Sequence, residues 1–126
     1  MNVKIIPIEP KYKKENGVFV VDIDNVKIPF EVREKSLVYI PPKEKGGNHK
    51  HPRTEAFLGI GEGLKIIWKD ENGKMIEKNM NSEGELLLFV IPADTPHVII
   101  NNSKNQFGIL IEFADDIQHD VERVEL

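Results

Sequence analysis

Cysteine is absent from the 126 residues, which excludes disulfides, thiolate metal sites and a cysteine nucleophile. Any metal this chain holds must be bound through nitrogen and oxygen. Aromatic residues are sparse, with one Trp and two Tyr, and the net charge is −4 with acidic and basic residues interspersed. No basic run with interleaved aromatics exists, so nucleic acid is not an expected partner. No apolar run approaches the roughly 20 residues that a membrane span needs, and residues 1–7 lack the continuous apolar stretch of a secretion signal. The expectation is a soluble chain without a membrane partner that stays in the cytoplasm. Its length suits one domain, residues 1–126, with a single core.

A long helical period is also missing. Short apolar segments instead recur about every ten residues between turn signals. Residues 3–8 read as an edge strand that ends in prolines. Residues 18–23 and 28–32 read as a hairpin around Asp24-Asn25, with Ile28, Phe30 and Val32 alternating along its second arm. A strand at 36–40 stops at Pro41-Pro42. Strands follow at 54–60, with Gly59 leaving room on the Glu55 face, and at 64–69 and 75–80, joined by Asp70-Glu71-Asn72-Gly73, the strongest hairpin signal in the chain. Residues 86–91 are apolar at every position, as in a strand buried on both faces. Residues 97–101 and 106–113 read as a last hairpin, and the acidic tail as a final short strand. This spacing predicts an all-β sandwich or barrel.

Within this frame, Gly46-Gly47-Asn48-His49-Lys50-His51-Pro52-Arg53-Thr54-Glu55 places two imidazoles and a carboxylate at alternate positions. In an extended chain these share one face, whereas Lys50 and Thr54 point away. A fourth candidate, His97, opens a strand after a turn bracketed by Pro92 and Pro96. Taken singly, each of these residues is more simply a solvated or satisfied side chain. Jointly, three of the chain's four histidines would have to fall into ligand spacing by accident. A divalent transition metal is therefore the expected cofactor; Fe, Mn, Ni and Zn all accept such N/O ligands. Arg53 shares the ligands' parity and could grip a substrate anion, although a solvated arginine is the commoner fate. His119 has no partner at ligand spacing. On the last long strand, Glu112 falls on the face opposite Ile109, Ile111 and Phe113 and is a weak candidate for moving a proton, with Lys65 and Tyr39 behind it.

The two segments resemble the motifs of the cupin superfamily, His-x-His, three or four residues, Glu, six residues, Gly, and Pro-x-Gly-x-x-His-x-x-x-Asn. His49, His51 and Glu55 fit the first, in a core motif spanning 46–63. Pro92, His97 and Asn101 fit the second, spanning 84–101. The glycine after Glu55 is displaced to Gly61 or Gly63, those that open the motifs to Gly46, Gly47 and Gly84, and Asp94 stands in place of the second motif's glycine. The resemblance implies a single-domain double-stranded β-helix, the jelly-roll barrel. It also implies a metal held by His49, His51, Glu55 and His97 and a homodimer formed through sheet edges, whereas Asn101, which matches the motif, is read from its amide as bonding a turn and not as binding metal. The tail at 120–125 is similar to that of cupin-type mannose-6-phosphate isomerases. Together these imply an enzyme acting on a small polar oxygenated ligand such as a sugar phosphate, by isomerisation or epimerisation. An iron-dependent dioxygenase and a non-catalytic metal- or ligand-binding cupin are the alternatives.

Overall fold

The computed structural model describes residues 2–82, 85–124 and 126, and the side chains of all of these except residues 47–49 and 82. Gly47 and Gly84, two of the motif glycines, thus lie respectively partly and wholly outside the described residues. Two antiparallel sheets face each other in a jelly-roll arrangement. The larger runs β1 (Lys4–Ile8), β10 (Glu85–Ile91), β6 (Glu55–Ile60), β12 (Gly108–Ala114) and β4 (Glu34–Ile40), with β9 (Asn81–Ser82) on β10. The smaller runs β13 (Glu122–Arg123), β5 (Lys45–Lys50), β11 (His97–Asn101), β7 (Leu64–Lys69) and β8 (Met75–Asn79). A small ribbon joins β2 (Tyr12–Lys13) to β3 (Phe19–Val20). No helix among the described residues is long and apolar enough to cross a membrane.

The period-two alternation sorts the core into two layers. Between the sheets lie Phe57, Phe89, Ile91, Leu110, Leu64, Ile66, Trp68 and Ile99. On the outer face of the larger sheet, Ala56, Leu58, Leu88, Val90 and Phe113 form a second cluster, covered by Ile6, Ile8, Ile28, Phe30 and Val32. This cover explains why β6 and much of β10 are apolar on both faces. It also corrects the expected hairpin over 18–32. Asp22 takes the amide of Asp24 and the side-chain amide of Asn25 on its carboxylate, turning the chain into a 3-10 segment, Ile23–Asn25. Pro29 then lacks the N–H a paired strand needs, and Ile28, Phe30 and Val32 lie down on the sheet instead of pairing.

The expected last hairpin is corrected too. Strand β11 pairs with β5 and β7, whereas β12 pairs with β4 and β6, in the other sheet. The connection between them is fixed by Asn101, which is buried and donates to the carbonyls of Ile40, Pro41 and Gln106 while accepting from the Ser103 amide. Asn101 therefore bonds a turn, as expected of an amide side chain at this position. Asp94 adopts a left-handed backbone, φ 62°, which Asp tolerates better than most residues. The space at Gly59 is filled by Met80, whose side chain lies 3.1 Å from where a Cβ would stand.

Because both layers are built from side chains alone, folding does not need an ion, unlike a zinc finger. Treatment with a strong chelator is expected to leave the β-type far-UV circular dichroism spectrum intact. Global unfolding on chelation would contradict this account of the core.

Candidate metal centre

His51 follows β5, Glu55 opens β6 and His97 opens β11, so the three reach the space between the sheets from both walls. His51 Nε2 lies 3.6 Å and His97 Nε2 3.3 Å from Glu55 Oε1. One ligand atom from each residue lies within 4.8 Å of the others, and all three residues are buried. Donors about 2.0–2.2 Å from an ion would sit about 3–3.5 Å apart, so the closest of these spacings already suit one.

The Nδ1 of His97 lies 2.8 Å from the carbonyl of Thr95. A carbonyl only accepts, so Nδ1 carries a proton and Nε2 is the nitrogen that faces the Glu55 carboxylate. A carbonyl partner on the far nitrogen is the usual orienting device for a metal-binding imidazole. On this observation the residues fit a divalent ion. Of the sequence-expected set, His49 has only its backbone described, paired with His97 across β5 and β11; its side chain lies outside the described residues.

Glu112 faces inward. It lines a cavity of ≈ 130 Å³ together with His51, Glu55, His97, Phe57, Val38, Ile99, Leu110, Gly46 and Gln118. Arg53 Nη2 joins Glu55 Oε2 to Glu112 Oε1, so the ionisation of each carboxyl bears on the other. Burial pushes against ionisation of Glu55, but hydrogen bonds from His97 and Glu112 and the nearby imidazoles outweigh it and hold the carboxyl down to about 2. Burial first, then the neighbouring Glu55, push Glu112 up to about 8 against the opposing charge of Arg53.

Arg53 differs from expectation. It is 3% exposed, and its N–H groups go to Glu55, Glu112, Glu34 and the Asp116 carbonyl. Burial opposes its charge, yet Glu34, Glu55 and Glu112 raise its pKa. The guanidinium is thus engaged by carboxylates and a backbone carbonyl of its own chain. Tyr39 points outward and stacks on Phe107, and Lys65 pairs with Glu77, so neither reaches the cavity. His119 is exposed between Asp116 and Asp120, and these raise its pKa. Gln118 and Glu34 were not singled out from sequence. Gln118 lies in a tail with no clear period, and the inward turn of Glu34 is set by its pairing with Ala114.

The sequence profile of the family described as FdtA: WxcM-like, C-terminal, matches residues 1–122. The chain belongs to this family. Solved structures with the same cupin-type jelly roll accompany it. A 3,4-ketoisomerase from Helicobacter canadensis is 25% identical, with a TM-score of 0.68 over 98% of this chain and 91% of that one. WlaRA, a TDP-fucose-3,4-ketoisomerase from Campylobacter jejuni, is 19% identical, with a TM-score of 0.70 over 95% and 86%. The capsular polysaccharide assembling protein CapF from Staphylococcus aureus is 24% identical, with a TM-score of 0.66 over 80% of this chain but 29% of that one. This FdtA-family chain thus spans under a third of CapF. No curated protein is significantly similar to it.

Proposed function

We propose that the chain is a metal-assisted isomerase of keto-sugars carried on a nucleotide, moving a carbonyl between neighbouring carbons. The observation that carries this reading is the convergence of His51, Glu55 and His97 in a small cavity that a further carboxyl, Glu112, also lines. His49 is proposed as a fourth ligand. Support comes also from similar solved structures whose names state 3,4-ketoisomerase activity, on TDP-fucose in one of them.

The chemistry is an internal redox exchange and needs no oxidant. A carbon next to the ketone loses its proton, an enediol forms, and a proton returns to the former carbonyl carbon. One carbon is oxidised as its neighbour is reduced. A divalent ion at this centre would polarise the carbonyl and stabilise the developing negative charge. Glu112 is the group placed to carry the proton, because ligand lone pairs are committed elsewhere. Phe57, Ile99, Leu110 and Val38 give the cavity apolar walls that keep water from the reacting carbons. A cavity of ≈ 130 Å³ accommodates the reacting part of a sugar, leaving the nucleotide outside the mouth.

A dioxygenase would need redox-active iron and oxygen and has no use for the buried acid. The test is incubation with TDP-4-keto-6-deoxyglucose in D₂O, with the protein loaded in turn with zinc, manganese and iron, followed by NMR. The expected result is an isomeric ketone carrying deuterium at the exchanged carbon. Turnover that requires oxygen would overturn the isomerase reading, and absence of turnover with every metal would favour a binding module.

A homodimer is proposed through β4, the last strand of the larger sheet. Its outward residues Leu37 and Tyr39 are 68% and 55% exposed, beside the exposed Ile60 and Phe107. An open edge with an apolar face is a template for pairing, and antiparallel pairing about Leu37 would be self-complementary, as a two-fold axis demands. Leu37→Glu would place two like charges at that axis. It is expected to yield monomers in sedimentation velocity where the wild type sediments as a dimer; an unchanged dimer would place the interface elsewhere.

A further inference from the structure

We propose that Arg53 is a positioning residue that restricts Glu55 to one metal-facing oxygen and, through the same guanidinium, fastens residues 115–118 against the cavity. This rests on the metal-centre reading above. An arginine meeting a carboxylate usually spreads two N–H groups over both oxygens. Here Nε and Nη2 both converge on Glu55 Oε2, at 3.0 and 2.9 Å. The other oxygen, Oε1, is left toward His51 and His97. Glu55 is thereby set to bind with one atom, which keeps coordination positions for a substrate.

The remaining donors reach outward. Nη2 also meets Glu112 Oε1 at 2.7 Å, and Nη1 meets Glu34 Oε1 at 3.1 Å and the Asp116 carbonyl at 3.0 Å. Glu34 in turn accepts the Gln118 amide on its second oxygen, at 3.2 Å. Thr54 and Asp115 exchange two further bonds, Thr54 N to the Asp115 carboxylate and Asp115 N to the Thr54 carbonyl. The side chain of Gln118 closes one wall of the cavity. One buried cation therefore joins the ligand, the inward acid and the tail. Lysine, a point charge without the planar fork, cannot hold all three at once.

The experiment compares wild type with Arg53→Lys and Glu34→Gln, each checked for fold by circular dichroism. Two readouts are taken: the visible spectrum of the cobalt-loaded protein, and amide hydrogen exchange at residues 115–118 in the metal-free protein. For Arg53→Lys the cobalt band is expected to weaken as Glu55 swings to bind through both oxygens. Its cobalt affinity should fall about 10–100-fold, as when other ligand-orienting partners are removed, and exchange in the tail should quicken about tenfold. Glu34→Gln, which leaves the Arg53–Glu55 contact in place, is expected to quicken exchange alone. This variant keeps the latch testable if Arg53→Lys does not fold. An unchanged cobalt spectrum in folded Arg53→Lys overturns the ligand-restricting role. Unchanged exchange in both variants, or in Glu34→Gln where it alone folds, overturns the fastening role. Wild type that binds no cobalt overturns the metal reading and with it the ligand-restricting role, while exchange in the metal-free protein still decides the latch.

Discussion

His97→Ala is expected to lose stoichiometric metal binding and, with it, turnover. The wild type should take up about one divalent ion per chain. Replacing His97 removes a buried nitrogen whose Nδ1 is already oriented by the Thr95 carbonyl, so no neighbouring group can take its place. The same logic gives a pH dependence with a definite sign. Metal and proton compete for imidazole lone pairs, so wild-type affinity should fall as pH drops through the histidine range near about 6.5. Calorimetric titration with zinc or cobalt, with elemental analysis of the loaded protein, measures both effects. A His97→Ala protein indistinguishable from wild type would defeat the centre.

Glu112→Gln is expected to lower kcat by about 10²–10⁴-fold, the usual contribution of a positioned proton carrier, while metal stoichiometry stays at the wild-type level. The amide keeps the size of the side chain and an oxygen for Arg53 Nη2 but cannot shuttle a proton. Deuterium incorporation at the exchanged carbon should fall in step with kcat. If activity persists unaltered, the proton is carried by another group, and Glu112 serves only as a hydrogen-bond partner of Arg53.

Much of this site was legible because a strand's period of two is rigid. Parity puts His51, Arg53 and Glu55 on one face of their segment and Leu110 and Glu112 on one face of theirs, and the fold turns both faces inward. What parity does not specify is which inward groups meet. Arg53 was read as solvated or as reaching for a substrate anion, yet the fold brings Glu34 from β4, Glu112 from β12 and the Asp116 carbonyl to it. Those partners are far apart in sequence, and their convergence depends on sheet order. The same limit applied to the strand after Asn101. A short polar connection between two apolar runs looks the same in sequence whether it makes a hairpin or crosses to the opposite sheet. Residues 18–32 differed for a local reason, because the Asp22 side chain captured the donors of the expected turn.

Glu55 pairs within the larger sheet and His97 within the smaller, so an ion held by both is a rivet through the two walls of the barrel. Affinity then becomes a gauge of intersheet spacing. A core change remote from the ligands, such as Phe89→Ala, would register as weaker metal binding as well as lower stability. Conversely, the loaded protein should breathe less between its sheets than the empty one, with the greatest quieting at the ends of β6 and β11 nearest Glu55 and His97.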